Sequence, residues 1–192
     1  MYILNKIKYL ILIMFLSSVS LAENYNKLAY DFNFKDLDGS NLNLSEYKDK
    51  DKVIVVVNVA SQCGFTKQYD GMQKIWDLYQ EKGIVMIGVP SNDFGNQEPG
   101  DNKEIKNFCE SKFGITFPIT EKAKVKGEDA HPFYKWARDN YGKEAIPKWN
   151  FHKIIIGKNG KIYDTFTSIT KPSSKKFIKA IEEAINRRDE SS

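Results

Sequence analysis

Val53-Ile54-Val55-Val56-Val57 and, further along, Ile84-Val85-Met86-Ile87-Gly88-Val89 are the two runs on which the fold turns. Both are continuous, apolar and rich in β-branched side chains, the pattern of strands buried on two faces. Between them Tyr69, Met72, Ile75, Trp76 and Tyr79 recur at steps of three and four. That spacing predicts an amphipathic helix, closed by Gly83. Strand, helix and strand in such close succession make a β-α-β unit over residues 53–89, with parallel strands.

Outward from this unit the elements are weaker but consistent. Residues 33–35 and 41–43 flank Asp36-Leu37-Asp38-Gly39-Ser40 and read as a small N-terminal hairpin. Residues 102–110 and 132–140 read as helices. Residues 153–157 and 161–167 flank Lys158-Asn159-Gly160, and Asn-Gly is a strong hairpin signal. A last helix over 173–186 puts Phe177, Ile178, Ile181 and Ile185 on one face. The class expected is α/β, a central mixed sheet flanked by helices with an N-terminal β-hairpin. No repeat, low-complexity segment or internal linker interrupts it, so residues 23–192 read as one domain.

The chain's 192 residues, 41% of them hydrophobic, suffice for one domain with a real core. The composition excludes disordered, collagen-like and disulfide-scaffold classes. Two cysteines, Cys63 and Cys109, and two histidines, His131 and His152, show no zinc-ligand spacing, so no metal or other cofactor is expected. The formal charge of +4 includes Lys6 and Lys8; without residues 1–22, 27 basic residues face 25 acidic ones, a net +2. That is too small and too dispersed for a nucleic-acid face.

Residues 1–22 read as an export signal. Lys6 and Lys8 precede an apolar run from Tyr9 to Leu16, and Ser20 and Ala22 fit a cleavage site before Glu23. The run is short for a bilayer span of ~20 residues, so an uncleaved anchor is the alternative. The processed chain is expected outside the cytoplasm, in the periplasm, with no stable membrane insertion. There a cysteine pair can be oxidised.

Ligand sites of open α/β sheets form at the carboxyl ends of the strands. Cys63 follows the first strand and Gln97 lies in the loop after the parallel second one. If the strand at 153–157 runs antiparallel to both, Trp149 and Asn150 reach the same edge. A thiol, two amides and an indole then share a crevice. A free thiol with a pKa near 8.5 is only about 3% thiolate at pH 7. A helix N-terminus contributes about 0.3–1 kcal/mol toward the anion. Hydrogen bonds to a charged group give roughly 1.5–3 kcal/mol each. Gln97, Trp149 and Asn150 offer such N–H donors without adding charge. With no histidine beside Cys63, a Cys–His hydrolase is poorly supported. A thiolate lacking a general base suits a weak bond with a good leaving group, such as the O–O bond of a hydroperoxide.

Asn58-Val59-Ala60-Ser61-Gln62-Cys63-Gly64-Phe65-Thr66 resembles the active-site segment of the glutathione peroxidase family. Pro90-Ser91-Asn92-Asp93-Phe94-Gly95-Asn96-Gln97-Glu98-Pro99-Gly100 resembles its second signature, and Lys148-Trp149-Asn150-Phe151 its third. All three occur in the family's order. The resemblance spans about residues 28–186 and implies a thioredoxin-like fold. It makes Cys63 the peroxide-reducing residue and Gln97, Trp149 and Asn150 its catalytic partners. Two positions depart from the family pattern: Asp93 replaces a common Gln and Ile154 a common aromatic. Asp93 is expected to alter charge near the site.

The segment 107–118 around Cys109 resembles the resolving-cysteine segment of the thioredoxin-dependent, non-selenium members. The subtype implies that Cys63 becomes a sulfenic acid and that Cys109 closes a disulfide on it. A thioredoxin-like reductant then restores both thiols. If a helix holds Cys109 more than ~7 Å from Cys63 between Cα atoms, that segment must first unfold locally. The short connection from His131 to Trp149 resembles monomeric members, whose open site accepts lipid hydroperoxides as well as hydrogen peroxide. Two alternatives stay open: a glutathione-recycled peroxidase, and a redox relay handing oxidation from Cys63 to a partner protein. Rival folds of similar chemistry fit less well. The threonine of peroxiredoxins is missing, and Cys63-Gly64-Phe65-Thr66 is neither the C-x-x-C of a disulfide oxidoreductase nor the C-x-x-x-C of a copper carrier.

Overall fold

The computed structural model describes residues 25–187; the export signal expected over residues 1–22 lies outside them. Strands β1 (Asn33–Lys35) and β2 (Asn41–Asn43) form the small antiparallel hairpin. The central sheet contains β3 (Val53–Val59), β4 (Ile84–Pro90), β5 (Lys153–Ile156) and β6 (Ile162–Phe166) in the order β4-β3-β5-β6. β3 and β4 are parallel, and β5 is antiparallel to both β3 and β6. Helices α1 (Gln68–Tyr79), α2 (Asn102–Phe113), α3 (Pro132–Tyr141) and α4 (Lys175–Asn186) flank the sheet.

Every residue of β3, β4 and β5 is buried, which is why their sequences run apolar without alternation. The two faces feed two cores. Val53, Val55, Val57 and Ile155 pack with α1, α2 and α4. Ile54, Val56, Ile154 and Ile156 pack with α3 and the hairpin. Ile154, the site of a departure from the family pattern, is thus a core residue of the second face.

α1 ends in a short 3-10 turn and stops at Gly83, whose φ of 114° lies in the left-handed region open to glycine. α2 runs three residues past the expected Glu110. It starts with a capping box between Asp101 and Glu104, and it ends where Gly114 at φ 60° returns its N–H to the Cys109 and Glu110 carbonyls. The β5–β6 turn is longer than a two-residue Asn-Gly hairpin. Gly157 N–H bonds Lys161 O at 2.9 Å, and a register shift follows Ile155.

His131 caps α3: its Nδ1 accepts from Phe133 N–H at 3.3 Å and its ring stacks on Phe34 at 4.2 Å. No described helix is long and apolar enough to cross a membrane.

Candidate active site

The carboxyl ends of β3 and β4 deliver two loops to one edge of the sheet, and the main chain ties them together. Ser91 N–H donates to Val59 O at 3.0 Å, and Gln62 N–H to Gln97 O at 3.0 Å. Cys63 sits in consecutive turns upstream of α1. Thr66 N–H returns to Cys63 O, and the Thr66 hydroxyl accepts from Cys63 N–H at 3.0 Å while donating to Ala60 O at 2.8 Å. One side chain therefore closes the loop across its whole width. The Cys63 sulfur, at the edge of burial with 9% exposure, accepts from the Phe65 N–H at 3.4 Å. α1 itself begins only at Gln68, so the helix N-terminus acts on the thiol at more than one turn's remove.

The third segment is hung on Asn58. Its side chain donates to Trp149 O at 3.1 Å, its carbonyl accepts from Phe151 N–H at 2.6 Å, and its N–H donates to His152 O at 3.3 Å. This clamp holds Phe151 at φ 67°, a conformation a bulky residue adopts only when its surroundings dictate it. Phe151 is fully buried, edge-on to Tyr69 at 5.4 Å. The strained residue thus anchors the loop from inside and leaves Trp149 and Asn150 at the sheet edge.

Of the expected site residues, Gln97 and Asn150 meet directly: Asn150 Nδ2 donates to Gln97 Oε1 at 3.0 Å. Asn150 is fully buried, so it orients Gln97 and leaves the Gln97 Nε2 donor turned away from it. Trp149 is 40% exposed and lies 5.7 Å from the Phe94 ring. Asp93, expected to alter charge near the site, is held by main-chain amides. Its carboxylate accepts from Val125 N–H at 2.7 Å and Lys126 N–H at 3.2 Å and so fastens its loop to the following segment.

Cys109 lies inside α2, 2% exposed, with its thiol donating to the Tyr69 hydroxyl at 3.6 Å. Both cysteines are free. Burial pushes the Cys109 thiol up to about 11, with the nearby charges of Glu98 and Glu110 adding to it.

Three polar residues at this edge carry more than the sequence reading gave them. Glu98 is 1% exposed, accepts from the Ser61 hydroxyl at 2.6 Å, and is pushed above the usual carboxylate range by burial. Lys153 is fully buried, and its amine donates to Gln68 Oε1 at 2.6 Å and Thr170 O at 2.7 Å. Burial lowers its pKa to about 7. His152 is driven down to about 4, by burial first and then by Lys153 and Lys148, so it stays neutral near pH 7. Among the described residues, no group of three or more His, Cys, Asp or Glu side chains is arranged to hold a metal ion.

A family model described as Glutathione peroxidase matches residues 29–138. A hydroperoxy fatty acid reductase of Synechocystis sp. is 43% identical over 155 residues, covering 77% of this chain and 90% of that protein. Among solved structures, the apo form of Trgpx superposes with a TM-score of 0.67 at 34% identity, over 84% of this chain and 97% of that one. A thioredoxin-family thiol:disulfide interchange protein of Chlorobium tepidum shares the fold, with a TM-score of 0.60 at 15% identity over 80% and 92% of the two chains.

Proposed function

Because the chain belongs to the glutathione peroxidase family, with its thioredoxin-like fold and peroxidase activity, we propose that it reduces hydroperoxides through Cys63. The Cys63 thiolate attacks one peroxide oxygen, the O–O bond breaks, and the alcohol or water that leaves takes up a proton. Cys63 is left as a sulfenic acid. The observation that carries this reading is the convergence of the Cys63, Gln97 and 149–151 loops on one sheet edge, linked by the Gln62–Gln97 and Asn150–Gln97 hydrogen bonds. In this reading Gln97 and Trp149 supply neutral N–H donors to the developing charge, and Asn150 holds Gln97 in place.

Cys109 then resolves the sulfenic acid as a disulfide, and a thioredoxin-like reductant restores both thiols. The reductant is met outside the cytoplasm, by a monomer whose signal has been removed after Ala22. A groove of about 650 Å³ runs from Gly64 and Phe65 to Ile169 and Pro172. Lys67, Lys74 and Lys171 also line it. An apolar groove with cationic lining, begun by the two residues that follow Cys63, favours long-chain hydroperoxides carrying an acidic group, alongside hydrogen peroxide. The similarity to a hydroperoxy fatty acid reductase supports the same choice.

Steady-state peroxide consumption with a thioredoxin system, set against glutathione, tests the reading. Turnover with thioredoxin, lost in Cys63→Ser, is the expected result. Turnover with glutathione alone refutes the reductant; turnover with neither favours the relay.

A further inference from the structure

We propose that Ile169 is the residue that selects long-chain hydroperoxides, and that Lys153 is a positioning residue holding it in place through Gln68 and Thr170. This rests on the reading of the groove from Gly64 and Phe65 to Pro172 as the seat of an acyl chain. Ile169 is 81% exposed, the most exposed large apolar side chain among the described residues. A lone exposed apolar residue needs no explanation. This one lines the groove, and both of its neighbours are pinned. Ser168 O accepts from Gln68 Nε2 at 2.6 Å, and Thr170 O accepts from Lys153 Nζ at 2.7 Å.

The groove has two walls. One is the start of α1 with the turn before it, from Gly64 to Lys74; the other is the loop from Ile169 to Ser173. One polar hub joins them. Lys153 Nζ also donates to Gln68 Oε1 at 2.6 Å, so the Gln68 amide is held at both ends, its oxygen by the amine and its nitrogen by Ser168. A neutral amine has two N–H donors, and Lys153 meets two acceptors. Further along, Gly71 lets the walls touch: a Cβ there would meet Pro172 Cβ at 3.1 Å. The hub is tied to the reactive loop as well. Gln68 N–H donates to Phe65 O at 2.8 Å, and Phe65 N–H reaches the Cys63 sulfur at 3.4 Å. Lys153 itself opens β5, two residues after Phe151. A wall held in this way offers its apolar contact without the entropy of ordering it on binding.

The occupant is a single acyl chain ending in a carboxylate, a free fatty-acid hydroperoxide. Phe65, Ile169 and Pro172 supply apolar lining, and Lys67, Lys74 and Lys171 supply positive charge. All three lysines are exposed, and among the described residues none is paired with a carboxylate. Lys67 caps the start of α1 and Lys74 lies two turns on, about 10 Å along the axis. A carboxylate at Lys74 leaves that length of chain to run back toward the Cys63 turn. The volume of about 650 Å³ falls within the roughly 300–1,000 Å³ of a site for one small ligand, which suits one acyl chain.

The test mixes the reduced full chain, in single turnover, with linoleic acid hydroperoxide or with hydrogen peroxide. Dimedone quenching and intact-mass analysis follow oxidation of Cys63. The readout is the ratio of the two second-order rate constants, long chain over hydrogen peroxide. In Ile169→Ser the ratio falls about tenfold or more, the effect of losing one buried apolar side chain, and Ile169→Leu restores it. Lys153→Met lowers the ratio in the same direction, and adding Ile169→Ser to it lowers it no further. Should Lys153→Met not fold, Gln68→Met breaks the same hub from the other side. An unchanged ratio in Ile169→Ser overturns the proposal, and so does an equal loss with both peroxides, which marks general damage. Additive losses in the double variant detach Lys153 from Ile169 and overturn its positioning role. A phosphatidylcholine hydroperoxide, or the methyl ester, reacting as fast as the free acid refutes the carboxylate-ended chain. Where Ile169→Ser spares both oxidations and slows only reduction by thioredoxin, the face belongs to the reductant and the proposal falls. A wild-type ratio of 1 or below removes the groove reading itself, and the role of Ile169 with it.

Discussion

Lys153→Met is the substitution whose effect the structure specifies most fully. The amine is enclosed by two neutral acceptors, Gln68 Oε1 and Thr170 O, and burial alone lowers its pKa to about 7. In the unfolded chain a lysine keeps its proton to about pH 10.4. Between these values the unfolded state binds more protons than the folded one, so stability rises with pH. Below about pH 7 both states are protonated and the cost of a buried cation is fully present. Between pH 7.5 and 9.5 the titration of this one group adds about 2–3 kcal/mol, at 1.36 kcal/mol per pH unit and per proton.

Methionine keeps much of the volume but strands the two acceptors, at a cost of about 1–3 kcal/mol each. The absolute difference near neutrality is therefore small, because loss of the buried charge offsets loss of its hydrogen bonds. The pH dependence is the discriminating quantity. Cys109, with its pKa raised on folding, loses stability as pH rises from about 9 toward 11, but it does so in both proteins and cancels. Urea unfolding of both proteins at half-unit pH steps measures the difference. The wild type should gain on Lys153→Met by about 2–3 kcal/mol from pH 7.5 to 9.5. A difference that stays flat across that range would show that the folded amine is protonated throughout, and the buried-amine reasoning would fail.

Cys109 in the folded protein should alkylate with iodoacetamide at pH 7 at least about 300-fold more slowly than in the denatured chain, the ratio of thiolate fractions for pKa values near 11 and 8.5. Peptide mass mapping reads this directly, and labelling within tenfold of the denatured rate would refute it. Asn58→Ala removes the donor to Trp149 O and should cost about 1–3 kcal/mol while slowing oxidation of Cys63, as stopped-flow fluorescence and thermal melts together would show. An oxidation rate that survives unchanged would mean the 149–151 loop needs no such clamp. Cys109→Ser should leave the first peroxide reaction intact and abolish thioredoxin-driven turnover; full turnover in that variant would remove Cys109 from the cycle.

The sheet was legible because its strands are buried on both faces, so burial wrote an uninterrupted apolar run into β3 and β4. The approach of the Cys63 and Gln97 loops was legible because parallel strands joined by one helix must deliver their loops to the same edge. Asn58, Glu98 and Lys153 were not. Asn58 recognises main-chain groups of residues 149–152, and a backbone acceptor leaves no mark on the sequence. Lys153 reads as an ordinary strand residue until β5 lies between β3 and β6, when its amine finds a glutamine and a carbonyl in place of solvent. Asp93 shows the converse case. Its charge was visible, but the amides of Val125 and Lys126 that use it were not.

The two cysteines differ in a way that orders their chemistry. Cys63 rests on a turn at the sheet edge, with its sulfur touched by a main-chain N–H, whereas Cys109 is inside a helix with its thiol held by Tyr69. In the proposed cycle peroxide meets Cys63 first, and Cys109, 2% exposed inside α2, becomes available only when that helix opens. The cost of that motion is unevenly spread along the helix. Its N-terminal end is fixed by the Asp101–Glu104 capping box and by Ile105 in the core. Beyond Cys109, Glu110, Ser111 and Lys112 are exposed, and Phe113 is only partly buried. The ion pair from Lys106 to Asp38 is exposed and screened by solvent, so it adds little. Unwinding the last turn from Cys109 to Gly114 would free the thiol at the loss of its contact with Tyr69, the Phe113 contacts with Tyr69 and Phe108, and the cap bonds from Gly114 and Ile115. If Cys109 resolves the proposed sulfenic acid, its burial shields it from peroxide while the protein is reduced, and opening the C-terminal end of its helix makes it available.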